Sequence, residues 1–205
     1  VFNTNQELSK IIQDKFQNDE SVFVKGVSGH GGLGAVRLTS KELFLDAIKN
    51  GKSKIYATED YLGVESTEPR MVMKYLDGME YSVDVFAFKG EVITAIPRKR
   101  NRVSNGIVID GSVDNNLEII KSAKEVTELL LIDGFINLQF IESKDGYKLT
   151  DLNARFCGSQ IMSFGANVNF PYLYISYNLL NKKIAVNPNW NTRMIRYWES
   201  CFFYD

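Results

Sequence analysis

Histidine and cysteine are scarce in this 205-residue sequence, and their scarcity excludes several kinds of catalytic site. His30 is the only histidine, and Cys157 and Cys201 are the only cysteines. HExxH zinc sites and multi-histidine iron sites need more histidine than the sequence contains. Two cysteines supply neither a disulfide framework nor a zinc site. The remaining chemistry must use carboxylates, lysine, arginine and backbone amides, which are the groups used in phosphoryl transfer.

The sequence also lacks a membrane-spanning run, a signal peptide and an excess of positive charge. No segment approaches the roughly 18 consecutive apolar residues of a membrane span. A net charge of −1 and a pI near 6.0 argue against a general nucleic-acid-binding protein. With 44% hydrophobic and 24% charged residues, the chain can bury one sizeable core or two small ones. These features predict a globular, cytoplasmic protein that binds neither membranes nor nucleic acids.

One local exception to this charge balance is the basic run from Arg98 to Arg102, which carries four cations in five residues. Such a run is typical of a solvated loop. It could also draw a polyanion into a cleft.

The spacing of apolar residues predicts an α+β fold with two lobes. A capping-box pattern at Thr4 begins a first helix to about Asn18, and Ser40 caps a second helix. The first lobe also contains predicted strands at 21–25 and 35–38, and polar, irregular structure with a short helix at 51–70. The second contains an antiparallel meander of strands at 71–76, 81–88 and 91–97, helices at 116–131 and 171–180, and a last strand at 193–197. We therefore expect a small α/β lobe at 1–70, a larger antiparallel-sheet lobe at 71–205, and a ligand cleft between them.

The most informative segment, at 134–158, reads GFINLQFIESKDGYKLTDLNARFCG. Two strand-like runs flank an Asp-Gly pair, which predicts a hairpin. Because side chains alternate between faces along a strand, Asp151 and Asn153 share a face, and Gln139 is expected opposite Asp151. Such oxygen ligands suit Mg²⁺ with substrate phosphates, and Arg155 would hold a phosphate oxygen. The alternative is an ordinary hairpin with one solvated polar face.

Two further motifs precede the hairpin. A strand ending at Lys25 leads into residues 26–34, which contain five glycines in nine residues. Backbone amides in such a loop can line a phosphate that a nearby lysine neutralises, although a plain flexible hairpin tip has the same composition. Next, the strand at 71–76 could offer backbone groups to a purine. Glu80, just beyond an Asp-Gly turn, could accept hydrogen bonds from a ribose, or it could be an ordinary exposed acid.

Together these motifs resemble the ATP-grasp family, most closely its carbamoyl-phosphate-synthase-like carboxylate ligases. The resemblance runs from about Ser21 to Leu180, and DLNARFCGS is similar to the (E/D)-x-N-x-R signature of the family. It implies the ATP-grasp fold, with a lid subdomain at 1–70 and a catalytic subdomain at 71–205. Family members carry a further N-terminal subdomain, which we expect in the full-length protein.

The resemblance also implies a role for each site residue. Lys25 and the loop residues Ser28, Gly29, Gly31 and Gly32 would contact ATP phosphates. Met73, Lys74, Tyr75 and Leu76 would form the adenine-binding hinge, with Lys74 where a glutamate is common, and Glu80 would bind the ribose. The metal positions are Gln139, Asp151 and Asn153, with Asp151 in a place more often held by glutamate. Arg155, joined by Arg98 and Arg100, would stabilise the transferring phosphate or acyl phosphate.

The function implied is an ATP-dependent ligase that forms C–N bonds. Its cofactors would be ATP and Mg²⁺, with Mn²⁺ as an alternative ion. Its partners would be a small carboxylate substrate and an amine or ammonia, and a homo-oligomer is compatible with the sequence. The alternative is a non-catalytic or incomplete nucleotide-binding module, which has little need of the Gln139, Asp151, Asn153 and Arg155 set. A kinase-like phosphotransferase would need a catalytic-loop Asp and Asn in an HRD-like setting, which the sequence lacks.

Overall fold

The chain folds into two compact units, Val1–Leu76 and Asp77–Asp205, in a computed structural model. The structure describes residues 1–28, 34–64, 68–104 and 106–204. The division lies six residues beyond the sequence-based boundary at residue 70, since the strand that begins there belongs to the first unit. None of the described helices is long and apolar enough to cross a bilayer.

In its described residues, the first unit is a four-stranded sheet with three helices. Thr4 begins the first helix through a complete capping box with Glu7, as its sequence pattern predicts. Phe2, Leu8, Val22, Val24 and Leu38 form the buried core. In chain order the elements are α1 (Asn5–Lys15), β1 (Ser21–Gly26), β2 (Val36–Thr39), α2 (Lys41–Lys49), β3 (Ile55–Ala57), α3 (Thr58–Leu62) and β4 (Arg70–Lys74), with strand order β3-β2-β1-β4.

Strand β4 departs from the predicted meander. It pairs antiparallel with β1, from Val22↔Lys74 to Gly26↔Arg70, and not with the strand that follows it in sequence. The meander prediction for 71–76 was therefore wrong, because the register with β1 takes this strand into the first sheet. On its other edge, among the described residues, β4 pairs only at Arg70, where Phe2 forms an isolated bridge. The backbone of Met71 to Lys74 thus lies at a sheet edge.

The second unit is built on a six-stranded antiparallel sheet in the order β10-β7-β6-β5-β8-β9. Asn116 caps its longest helix by accepting hydrogen bonds from the backbone amides of Glu118 and Ile119. The elements are β5 (Glu80–Phe88), β6 (Glu91–Ser104), β7 (Ile107–Val113), α4 (Leu117–Leu129), β8 (Gly134–Ser143), β9 (Gly146–Asn153), α5 (Ile161–Gly165), α6 (Phe170–Asn178) and β10 (Arg193–Ile195). Helix α5 and strand β7 were not predicted.

The two faces of this sheet differ. One face packs against α4 through a core that includes Val83, Val85, Ile136 and Leu138. The other face has a second apolar core of Phe86, Ile96 and residues from α5 and α6. Beyond that core, the same face carries polar side chains from four neighbouring strands. It is this polar half of the face that holds the predicted site residues.

The basic run from Arg98 to Arg102 lies inside β6 and is not the solvated loop that its charge suggests. Arg98 is only 1% exposed, whereas Asn101 and Arg102 are exposed. The expectation was wrong because strand alternation sends Arg98 to the inner face, where Asp84 compensates its charge.

A bidentate ion pair fixes the last strand, and we predict that acid weakens it. Arg193 of β10 donates from Nε and Nη2 to the two carboxylate oxygens of Asp110 in β7, at 3.1 and 2.7 Å. The hydrogen bond from Arg193 lowers the pKa of Asp110 below its ordinary value of 3.8. Since the folded pKa is depressed, this stabilisation is present above pH 3.8 and is lost as the pH falls through the lower folded pKa.

The expected result is a melting-temperature difference between wild type and Asp110→Asn that is present at pH 6 and shrinks progressively as the pH falls below 3.8. Thermal unfolding across this pH range measures it. Asp145→Asn, in the exposed hairpin turn, is the matched control and should show no such trend. A difference that stays constant with pH would contradict the assignment.

Candidate functional site

The polar half of the sheet face brings together side chains from strands β5, β6, β8 and β9. The strand registers align Ser82 with both Arg98 and Gln139, and align Gln139 with Asp151. Because the pairing partners of one face remain on that face, all these side chains share it. The full set is Glu80, Ser82, Asp84, Arg98, Arg100, Asn137, Gln139, Asp151 and Asn153.

The hairpin of β8 and β9 has the register expected from the sequence. Gln139 pairs with Asp151 and Asn137 pairs with Asn153, and a bulge at Thr150 follows immediately. Asn153 donates from Nδ2 to Asp151 Oδ2 at 2.8 Å, so the amide and the carboxylate are in contact. Gln139, Asp151 and Asn153 are all half-buried. A bulge beside a cluster of polar side chains is common at functional sites, since it re-aims side chains.

This set has the chemistry of a Mg²⁺ site with few carboxylates. Among the described residues, no group of three or more His, Cys, Asp or Glu side chains lies together. A cation here would take Asp151 and the side-chain oxygens of Gln139 and Asn153, with substrate phosphates and water supplying other positions. Mg²⁺ is bound in this way in many phosphoryl-transfer sites, because it keeps water ligands and needs only one or two carboxylates.

Glu80 and Arg100 form an ion pair at the start of β5. Arg100 Nε lies 3.0 Å from Glu80 Oε2, but the N–H of Nε is not aligned for a hydrogen bond. Arg100 Nη1 donates to Ser82 Oγ at 3.4 Å. The Glu80 side chain is 50% exposed, so a ligand can reach its carboxylate. The Arg100 side chain is only 11% exposed, so the pair is partly buried and a ligand would reach it from the Glu80 side.

Asp84 and Arg98 form a second, fully buried pair on the same face. Arg98 Nη2 donates to Asp84 Oδ1 at 2.7 Å, and the Asp84 side chain has no exposed surface. Burial opposes the charge of Arg98, but the carboxylate of Asp84 and the thiol of Cys157 outweigh it, so the pKa of Arg98 is raised. Arg98 therefore stays charged.

The chain after β9 returns to this buried pair. Arg98 Nη1 donates to Ser159 Oγ at 2.7 Å, and Nη2 also contacts Cys157 Sγ at 3.1 Å. Ser163 of α5 donates to Asp84 Oδ2 at 2.7 Å. Arg155 lies on the exposed part of this segment, where Nη1 donates to the carbonyl of Phe156 at 3.3 Å.

The first unit carries the other predicted contacts. Lys25 is half-buried near the end of β1, opposite Met71, and Ser28 is exposed. Lys74 forms an ion pair with Asp19 at 2.6 Å, so its side chain is engaged while its backbone lies at the sheet edge. The predicted phosphate contacts Gly29, Gly31 and Gly32 lie outside the described residues.

In the hinge, Met73 pairs with Phe23 of β1, and Tyr75 follows the strand. The guanidinium of Arg37 stacks on the Tyr75 ring at 4.2 Å. Leu76 is half-buried and is the last residue of the unit. This strand is thus held on one side by β1, and in the part of the chain that the structure describes its other edge forms a strand pair only at Arg70.

Sequence reasoning missed the polar residues behind the predicted set, namely Asp84, Ser159 and Ser163. A signal was present for one of them. In YSVDVF, Ser82 and Asp84 alternate with apolar residues, and a carboxylate within such a strand requires a charged partner. The serines lack such a signal, because their contacts depend on how the chain returns after β9.

Comparison with known proteins agrees with this geometry. Residues 66–200 match the model of a family described as "ATP-grasp in the biosynthetic pathway with Ter operon". The match covers more than half of the chain, and the chain belongs to this ATP-grasp family. No curated protein matches it in sequence.

Solved structures share the fold at low sequence identity. One is the biotin carboxylase domain dimer of the 2-oxoglutarate carboxylase of Hydrogenobacter thermophilus, in complex with MgADP, ADP and bicarbonate. The match covers 91% of this chain and 42% of that chain, with 14% sequence identity and a TM-score of 0.62. N5-carboxyaminoimidazole synthetase of Staphylococcus aureus with ADP matches 92% of this chain and 48% of its own, at 14% identity and 0.61. The match to the L-amino acid ligase of Bacillus licheniformis covers 85% of this chain and 43% of that chain, with 16% sequence identity and a TM-score of 0.56.

These likenesses establish the α+β ATP-grasp fold that the sequence predicts. The chain spans less than half the length of each of these structures. What these proteins bind or catalyse is therefore a property of those proteins.

Proposed function

We propose that this chain is the nucleotide-binding and catalytic part of an ATP-dependent ligase that forms C–N bonds. In the proposed reaction a substrate carboxylate oxygen attacks the γ-phosphorus of ATP, and ADP leaves with the electrons of the broken P–O bond. An amine or ammonia then attacks the acyl carbon and displaces inorganic phosphate, with loss of a proton. Neither step needs a nucleophilic side chain, which fits the scarcity of histidine and cysteine.

The observation that carries this proposal is the contact between Asp151 and Asn153 opposite Gln139, next to a bulge in β9. An ordinary solvated hairpin face has no need of one carboxylate and two amides on adjacent strands. A bound Mg²⁺ would supply charge neutralisation for the triphosphate. The three side chains would fix where the cation sits, and the proposal is supported by membership of the ATP-grasp family.

The remaining roles concern nucleotide binding. Lys25, Ser28 and the glycines at 29, 31 and 32 would contact phosphates through an ammonium group, a hydroxyl and backbone amides. The edge backbone of Met73 to Leu76 would bind adenine, and Glu80 would exchange Arg100 for the ribose hydroxyls. Arg155 and the released Arg100 would then stabilise negative charge on the transferring phosphoryl group, as positioned cations do in such reactions.

The test is Asp151→Asn in the full-length protein, an almost isosteric change that removes the single carboxylate of the proposed cation site. We expect the Mg²⁺ concentration for half-maximal ATP binding to rise about 10- to 100-fold, as for the loss of groups that support a metal site. Titration calorimetry of ATP at a series of Mg²⁺ concentrations measures this change. Phosphate release over a panel of carboxylates and amines measures turnover.

Asp145→Asn is the matched control, because it makes the same change in the turn of the same hairpin and should leave both measurements at wild-type values. Unchanged Mg²⁺ dependence in Asp151→Asn would remove the cation site from the proposal. ATP binding without phosphate release from any substrate pair would instead assign the chain to a nucleotide-binding role without turnover.

A further inference from the structure

We propose that Asp84 and Arg98 are positioning residues, and that they fix the segment 154–160 so that Arg155 faces the proposed cation site correctly. This inference rests on the proposed function. The resemblance to the ATP-grasp family implies that Arg98 contacts phosphate directly. Here Arg98 instead has an indirect role.

Asp84 joins three separate elements of the second unit. Its Oδ1 accepts from Arg98 of β6 at 2.7 Å and from Asn137 Nδ2 of β8 at 2.8 Å, and its Oδ2 accepts from Ser163 of α5 at 2.7 Å. Because Asp84 and Asn137 have no exposed surface, water does not compete for these bonds. One carboxylate therefore locks a helix and two strands together.

Arg98 extends the same network to the segment that carries Arg155. It donates to Ser159 Oγ at 2.7 Å and contacts Cys157 Sγ at 3.1 Å. The segment is thus held through Arg98 at Cys157 and Ser159, and Asp84 holds the helix that follows it at Ser163. Hydrogen bonds to a charged group are shorter and stronger than those between neutral groups. A second guanidinium also holds the segment, since Arg196 Nη2 donates to the carbonyl of Gly158 at 3.0 Å, but Arg98 is the anchor that links it to Asp84.

The network also reaches the proposed cation site. Asn137, which donates to Asp84, pairs with Asn153 in the register of β8 and β9. Asn153 in turn contacts Asp151. Arg155 follows Asn153 by two residues in the chain. The Asp84–Arg98 pair therefore touches the supports of both the metal-ligand strand and the arginine segment.

Arg98 is poorly placed to contact a substrate itself. Its side chain is 1% exposed, and its two terminal nitrogens already donate to Asp84, Ser159 and Cys157. A buried pair of this kind contributes little net stability compared with well-packed apolar residues, and the best-attested use of such pairs is to specify one arrangement of the chain. Here the arrangement specified is that of the segment bearing Arg155.

The test is Ser159→Ala, which removes one anchor of the segment and leaves the Asp84–Arg98 pair intact. In the full-length protein we expect kcat for phosphate release to fall about 10- to 100-fold with KM for ATP unchanged, because small displacements of a catalytic group have effects of this size. Amide hydrogen exchange in the peptide covering 154–165 should become about tenfold faster, since the lost hydrogen bond is to a charged group.

Ser159→Thr keeps the hydroxyl and should restore both values. Ser143→Ala is the matched control, because that hydroxyl accepts one hydrogen bond, from the amide of Asp145, in the remote hairpin turn. It should leave kcat and the exchange of 154–165 unchanged.

Two results would overturn the inference in an active protein. Unchanged kcat despite faster exchange would show that the position of the segment does not matter. Reduced kcat with unchanged exchange would make Ser159 a direct substrate contact. If the wild type releases no phosphate from any substrate pair, the proposed function fails, and exchange alone then decides whether Asp84 and Arg98 fix the segment. If amide hydrogen exchange of 154–165 in Ser159→Ala equals that of the wild type, Asp84 and Arg98 do not fix the segment, and the inference is overturned.

Discussion

Replacing Arg98 with methionine is expected to lower the free energy of unfolding of the second unit by about 3 to 5 kcal/mol. The change removes the charge that compensates Asp84, whose carboxylate has no exposed surface. Methionine fills a similar volume but donates no hydrogen bond, so Asp84 would keep the neutral donors Asn137 and Ser163, with the thiol of Cys157 as a weak third donor at 3.9 Å. Breaking a buried pair on one side costs more than the intact pair contributes, because an uncompensated charge remains inside the protein.

Tryptophan fluorescence during urea unfolding measures this loss. Both tryptophans of the chain, Trp190 and Trp198, lie in the second unit, and Trp190 packs against its core. The signal from this chain therefore reports the unit that contains Arg98. A shift of the urea midpoint at unchanged slope gives the change in free energy.

Arg102→Met is the matched control, since it removes an exposed arginine from the same strand and should change stability by less than about 0.5 kcal/mol. The double variant Asp84→Asn with Arg98→Met removes both charges and should recover part of the stability lost in Arg98→Met alone. A loss below about 1 kcal/mol in Arg98→Met would contradict the view that Arg98 compensates the buried Asp84.

The hairpin at the centre of the site could be predicted from sequence because its signals are local. The Asp-Gly turn and the period of two place Gln139 opposite Asp151, and the structure confirms that register. The capping box at Thr4 is equally local, and the first helix begins where it indicates. The assignment of these side chains to a metal remains a prediction.

Features that depend on distant parts of the chain were missed or misread. The charge of residues 98–102 favoured a loop prediction, since nothing near Arg98 in sequence shows that Asp84 lies beside it on the neighbouring strand. Strand β4 was grouped with the strands that follow it, because its pairing with β1 spans more than forty residues. Both errors arise where a tertiary partner overrides a local pattern.

Arg155→Met gives the second large effect, an expected fall in kcat of about 10²- to 10³-fold, typical for the loss of one group that stabilises transition-state charge. Arg155 is exposed, and it donates one hydrogen bond, to the carbonyl of Phe156. Removing it should therefore disturb neither the fold nor the buried Asp84–Arg98 pair. KM for ATP should change little, because the lost interaction forms mainly in the transition state. Steady-state phosphate release measures both constants.

Arg155→Lys separates charge from geometry at this position. A lysine keeps the positive charge but lacks the planar fork that binds two phosphate oxygens at once, so its kcat should lie between those of wild type and Arg155→Met. Arg102→Met, another exposed arginine of the same unit, should retain wild-type kcat. If Arg155→Met raises KM for ATP and leaves kcat unchanged, Arg155 binds the ground-state nucleotide, and the stabilisation of the transferring phosphoryl group must come from Arg100 and the bound cation.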